Sequence, residues 1–183
     1  MNKTNKVKHK NHGNDSIMDK PVKSLESICR VNAILNPYCK PGLQAIKKEN
    51  RNKIIVPDTK LLGHSLDLDE ALKTIISQDN RWDYGFEYEH YLIFIEIHPA
   101  ETSQIDCICK KVAYTKEWLD INCPEILHLP KFEKGRRQYY WISSGRTKLK
   151  ILPNSVYARK LAKNNIISVG NVFDYSKLKD KYS

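Results

Sequence analysis

The stretch Arg81-Trp82-Asp83-Tyr84-Gly85-Phe86-Glu87-Tyr88-Glu89-His90-Tyr91-Leu92-Ile93-Phe94-Ile95-Glu96-Ile97-His98-Pro99 reads as two strands joined by a tight turn. From Arg81 to Tyr88 aromatic and polar residues alternate, which is the period of a half-buried strand. Glu89-His90 is the expected turn. Tyr91 to His98 is rich in branched and aromatic residues and suits a buried central strand, ended by Pro99. Glu96 and His98 stand two positions apart, so their side chains leave the same face of the sheet. A carboxylate between Ile95 and Ile97 costs desolvation energy unless it is paired or metal-bound. Counting back from the turn, Asp83 falls nearly opposite Glu96. Asp83, Glu96 and His98 are therefore expected to converge, and two carboxylates with an imidazole make a divalent-metal site. The competing reading is that Glu96 and His98 line the solvent face of a two-sided hairpin.

On either side of this hairpin the periodicity changes. Ser65 is a good N-cap, Asp67, Asp69 and Glu70 fit a first helical turn, and Leu68, Ala71, Leu72, Ile75 and Ile76 have helical spacing, which predicts a helix over 66–77. After Pro99, Thr102 or Ser103 is expected to cap a long helix with Ile105, Ile108, Val112, Thr115 and Leu119 on one stripe, broken at Asn122-Cys123-Pro124. Gln138 to Ile142 reads as a further strand. A helical pattern follows Pro153-Asn154-Ser155, and 166–172 reads as a last short strand. An amphipathic helix is expected from Ser24 to Leu35. The order helix, strand, strand, helix, strand, helix predicts an α/β (α+β) domain with a small mixed β-sheet flanked by helices.

The chain has 183 residues, 40% hydrophobic and 28% charged, with 31 Lys and Arg against 21 Asp and Glu. That is a soluble composition of one-domain length: residues 1–16 read as a disordered basic tail and 17–183 as a single globular domain. The formal net charge of +10 favours polyanionic partners, nucleic acid first. The longest apolar run, Leu92 to Ile95, is too short for a membrane span, and no apolar stretch follows the basic N-terminus as in a signal peptide. Five cysteines (Cys29, Cys39, Cys107, Cys109, Cys123) with no CxxC pair suit a reducing cytoplasm and give no zinc-cage pattern. GxxxxGK[ST], GxGxxG and GxSxG are all absent, which removes the P-loop, dinucleotide-binding and nucleophile-elbow templates.

Asp83, twelve residues, then Glu96-Ile97-His98 resembles the Asp…(Asp/Glu)-x-Lys signature of the PD-(D/E)xK, or restriction-endonuclease-like, nucleases. The element order around it matches as well, and the resemblance covers about 80 residues, from Leu66 to Gly145, as a nuclease-like core. It implies a restriction-endonuclease-like fold and a metal-dependent nuclease of DNA or RNA, in a bacterial defence or nucleic-acid-processing system. It further implies Asp83 and Glu96 as ligands of Mg²⁺ or Mn²⁺. The sequence departs from the signature where the lysine should stand, at His98. Three explanations are open. His98 replaces the lysine as metal ligand or proton acceptor; Lys110 or Lys111 reaches in from the following helix, as in some members of that superfamily; or catalysis is lost and nucleic-acid binding kept. Of the two helix lysines, Lys111 borders the buried stripe more closely, and His98 is expected ahead of both. Trp82 also stands where the signature has Pro, and Glu70 is the best-placed acid to complete the site from the preceding helix.

Three basic clusters offer a nucleic-acid surface. These are Lys47, Lys48, Arg51 and Lys53; Lys131, Lys134, Arg136 and Arg137; and Arg146, Lys148, Lys150, Arg159, Lys160 and Lys163. The last two flank the Trp141 strand, so Lys134, Arg136, Arg137, Arg146, Lys148 and Lys150 are the expected phosphate contacts. The alternative function is a non-catalytic nucleic-acid- or protein-binding subunit of a larger bacterial complex, with a protein partner or a second copy of the chain beside it.

Overall fold

Glu89 and His90 both adopt positive φ, 49° and 69°, and close a two-residue hairpin of the kind whose twist matches that of the flanking strands. The computed structural model describes residues 23–77, 80–130, 138–145 and 151–179. The hairpin joins β4 (Tyr84–Tyr88) to β5 (Tyr91–His98), in the register Tyr84↔Ile95 through Tyr88↔Tyr91. β3 (Leu62–Asp67) pairs antiparallel with β4, and β1 (Cys39–Pro41) with β3.

On the other side the chain crosses over through α4 (Ile105–Asn122) to β6 (Tyr139–Ser143), which lies parallel to β5. It crosses again through α6 (Val156–Lys163) to β7 (Ile166–Gly170), parallel to β6. The six-stranded mixed sheet has the order β1-β3-β4-β5-β6-β7. A second, two-stranded sheet joins β2 (Ile54–Ile55) to β8 (Phe173–Asp174). Short helices α1 (Leu25–Val31), α2 (Lys48–Arg51), α3 (Leu68–Ala71), α5 (Pro124–Leu127) and α7 (Tyr175–Lys179) complete the elements.

Each face of the sheet carries its own core. Leu66, Leu92, Phe94, Tyr139 and Trp141 pack with α1, α4 and Trp82 on one face. Phe86, Tyr88, Ile93, Ile95, Tyr140 and Ile142 pack with Ile46, Ile54, Phe173 and Tyr175 on the other. Burial on both faces explains why β5 is a near-continuous apolar run rather than an alternating one. No helix among the described residues is long and apolar enough to cross a membrane.

The largest departure from expectation is the helix predicted over 66–77. Residues Leu62–Asp67 are a strand, because Leu66 pairs with Cys39 on one side and Gly85 on the other. Helix begins only at Leu68 and lasts to Ala71, with Asp67 rather than Ser65 as the N-cap accepting from Glu70 N–H. Ser65 instead accepts from Ala45 N–H at 3.1 Å. The first helix stops at Val31 rather than Leu35, since Asn32 Oδ1 takes the N–H groups of Ile34 and Leu35. The long helix starts at Ile105 after a 3₁₀ turn at Thr102–Gln104, uncapped by any side chain, and runs to Asn122.

Candidate functional site

β3, β5, β6 and β7 point the same way, so their C-terminal ends share one edge of the sheet with the start of β4. In open α/β sheets the C-terminal edge is where ligands bind. The register that pairs Tyr84 with Ile95 puts Asp83 opposite Glu96, on the face covered by α4. Their contact is direct: Asp83 N–H donates to Glu96 Oε2 at 3.0 Å, and Ile97 N–H donates to Asp83 Oδ2 at 2.8 Å.

The backbone before Asp83 is held from three sides. Leu68 and Asp69 N–H groups donate to the Asp83 carbonyl at 2.9 and 3.2 Å. Trp82 N–H donates to Thr115 Oγ1 of α4 at 3.0 Å. Arg81 donates to Asp69 Oδ1 at 2.9 Å and to the Ile76 carbonyl at 2.7 Å. Such a carboxylate is held in place before any ligand arrives.

α4 supplies the third charged group. Lys111 Nζ donates to Glu96 Oε1 and lies 3.9 Å from Asp83 Oδ1. The Glu96 side chain is 0% exposed, Lys111 10% and Asp83 19%. Lys110, one residue earlier and about 100° around the helix, is exposed. Of the two lysines weighed from the sequence, the structure brings Lys111 into the site.

His98 leaves the same face as Glu96 and is half-buried at the strand end, where its Nδ1 lies 3.5 Å from the Pro99 carbonyl. Its own carbonyl accepts from Trp141 Nε1 and Ser144 N–H, both at 3.1 Å. Among the described residues no three His, Cys, Asp or Glu side chains are grouped to hold a metal, so His98 does not join Asp83 and Glu96 in a ready-made ligand set. Glu70 pairs with Lys73 at 3.3 Å and does not complete the site. Lys134, Arg136, Arg137, Arg146, Lys148 and Lys150 lie outside the described residues, as does the 1–16 tail.

The electrostatics follow from two carboxylates facing one ammonium. Burial lifts the Glu96 carboxyl well above the usual carboxylate range, the Asp83 charge adds to this, and Lys111 opposes it. Burial also lifts Asp83, against Lys111 and the Ile97 N–H. Burial alone pulls the Lys111 ammonium down, and Glu96 and Asp83 more than offset it, leaving Lys111 above its ordinary value. Burial and the Lys111 charge hold His98 below its ordinary value, which keeps the imidazole neutral near pH 7. With both carboxyls ionised the cluster would carry one negative charge more than Lys111 neutralises. A proton or a cation can satisfy that surplus.

Comparison with known proteins finds no family model, no curated protein and no solved structure that matches this chain. The chemistry of the site therefore rests on its own atoms. Asp83 Oδ1 and Glu96 Oε1 converge on the point where Lys111 Nζ sits, and Asp83 Oδ1 makes no hydrogen bond among the described residues. Asp83 Oδ1 is the carboxylate oxygen left for a ligand; hard oxygen donors of this kind would suit Mg²⁺ or Mn²⁺ better than a softer metal, and such an ion would share the pair with Lys111.

One further residue escaped the sequence reading. Asp67 ends β3 on the opposite face from Asp83, and burial pushes its carboxyl up to about 6. Its only local signal was membership of an acidic first turn, which the strand displaced by two residues.

Proposed function

We propose that this chain is a metal-dependent nuclease domain with a restriction-endonuclease-like core running from β3 to β6. The observation that carries the reading is the position of Lys111 Nζ between Glu96 Oε1 and Asp83 Oδ1. It supplies, from the helix, the cation that the signature takes from the strand at the position of His98. The meander β3-β4-β5, followed by a helical crossover to a parallel strand, supports the same reading.

Asp83 and Glu96 would hold Mg²⁺ or Mn²⁺. When bound, the ion makes a coordinated water more acidic and stabilises charge on the scissile phosphate. Lys111 fixes the Glu96 carboxylate and presents its ammonium to the phosphate side. The neutral imidazole of His98, two positions along the strand at the edge, is placed to take a proton. The net charge of +10 supports an anionic polymer as substrate.

The test is incubation with plasmid, linear and single-stranded DNA and with RNA, in Mg²⁺ and in Mn²⁺. Wild type should cleave at least one of them. Asp83→Asn should be reduced to background and Lys111→Ala slowed by about 10²–10⁴-fold. Wild-type activity no higher than that of Asp83→Asn on every substrate would reject the reading. The full burial of Glu96, with each of its oxygens partnered inside the protein, favours a second one in that case. There the trio is a structural ion-pair cluster in a non-catalytic binding subunit.

A further inference from the structure

One of the three basic clusters lies along the edge that carries the acidic site. We propose that the segment 47–53 is a phosphate-binding rim, with Lys47, Lys48 and Lys53 holding the backbone of a nucleic-acid strand laid across that edge. The inference rests on the nuclease reading and names the contact that would hold its substrate.

The segment is fixed at several points. Arg51 donates to the carbonyls of Ile46 at 2.8 Å and Gln44 at 3.0 Å, so its guanidinium is engaged by the backbone that leads into the segment. Asn50 Nδ2 donates to the hydroxyl of Tyr84, the residue after Asp83, at 3.4 Å. The carbonyl of Lys53 accepts from Phe173 N–H at 2.8 Å, anchoring the exit of the segment in the two-stranded sheet.

With Arg51 occupied, the three lysines remain as point charges, against the single exposed acid Glu49. Lys47 and Lys48 are exposed, and the Lys47 charge acts on Asp67 at the end of β3. Lys53 Nζ donates to the Ser143 carbonyl at 3.4 Å, and Ser143 is the residue paired with His98 in the sheet. Lys47 and Lys53 therefore mark the two ends of the rim, at the end of β3 and the end of β6, with Lys48 beside Lys47 in the chain. They lie on the sheet face opposite the one from which α4 delivers Lys111. An anionic strand approaching Asp67, Asp83 and Glu96 meets repulsion unless cations flank the edge, and this segment supplies them from the side that α4 leaves open.

The experiment measures binding of labelled duplex DNA, single-stranded DNA and RNA by anisotropy, without divalent metal, over a series of salt concentrations. K48Q/K53Q is compared with K60Q/K116Q, an equal loss of charge at exposed lysines just before β3 and on α4, outside all three basic clusters. K47Q/K48Q removes two exposed charges without touching the Ser143 contact.

Both rim pairs should weaken binding to the preferred nucleic acid about tenfold and lower the salt slope by roughly 1.4–1.8, while the control pair changes little. Equal losses in rim and control pairs, rim pairs that bind like wild type, or wild type that binds no nucleic acid would overturn the rim. Turnover is read separately. Salt-dependent binding through the rim with no cleavage removes the nuclease reading alone, and cleavage with unaltered rim variants removes the rim alone.

Discussion

Lys111 and Glu96 are worth more together than apart, because each is buried and each is the other's principal counter-charge. Truncating one partner of a buried pair leaves an uncompensated charge and typically costs about 3–5 kcal/mol, whereas replacing both is often close to neutral. Lys111→Met should therefore destabilise strongly, since it leaves Glu96 against Asp83. Adding Glu96→Gln should restore much of the loss, because the amide oxygen still accepts from Asp83 N–H. A urea-denaturation double-mutant cycle should give a coupling of about 1.5–3 kcal/mol. Additive single effects would mean that the pair is not coupled. The two acids were legible in the sequence because a two-residue turn fixes register by counting, and Lys111 because helical spacing relates it to Ile108 and Val112. Whether His98 or a helix lysine answers the two acids depends on how closely α4 packs on β5, and no local pattern encodes that distance.

At the scale of elements, β5 and α4 were readable because each has one dominant environment: an apolar strand buried on both faces, and a long single-striped helix. The segment around Leu66 was not. Leu66, Leu68 and Leu72 satisfy a helical period and a strand-then-turn equally well, and hydrogen bonds to two neighbouring strands decide for the strand. The edge strand β1 is three residues ending in Pro41, and β2 meets β8 from the far end of the chain, so neither has a local signature.

The shifted boundary makes Asp67 a testable cap. Its carboxyl is raised from 3.8 to about 6, with burial the main cause. A group whose folded pKa is raised lends stability when protonated and loses it as pH rises from about 4 through about 6. Asn caps a helix as well as Asp does and carries no charge. Asp67→Asn should therefore raise stability at pH 7.5 by about 1–3 kcal/mol and change it little at pH 4. A loss at pH 7.5 in thermal or urea melts would show that the charge itself is needed there.

For the molecule as a whole, the proposed function makes stability respond to protons and to metal in opposite senses at the acidic site. Asp83 and Glu96 both have raised folded values, so without metal they favour the native state when protonated, and that contribution fades as pH rises. Lys111 is raised too, and its contribution is lost only above its own folded value, beyond the neutral range. In metal-free buffer Asp83→Asn should therefore gain on wild type as pH rises from 5 to 8. On the proposed function a divalent ion would reverse the order, because it would bind the deprotonated carboxylates and stabilise the native state by mass action. The Mn²⁺-induced rise in wild-type Tm should be largest at pH 8, shrink toward pH 5, and be small throughout in Asp83→Asn. A rise that is independent of pH and equal in both proteins would place Mn²⁺ away from this pair. Asp83 and Glu96 would then be two acids whose nearest counter-charge is Lys111.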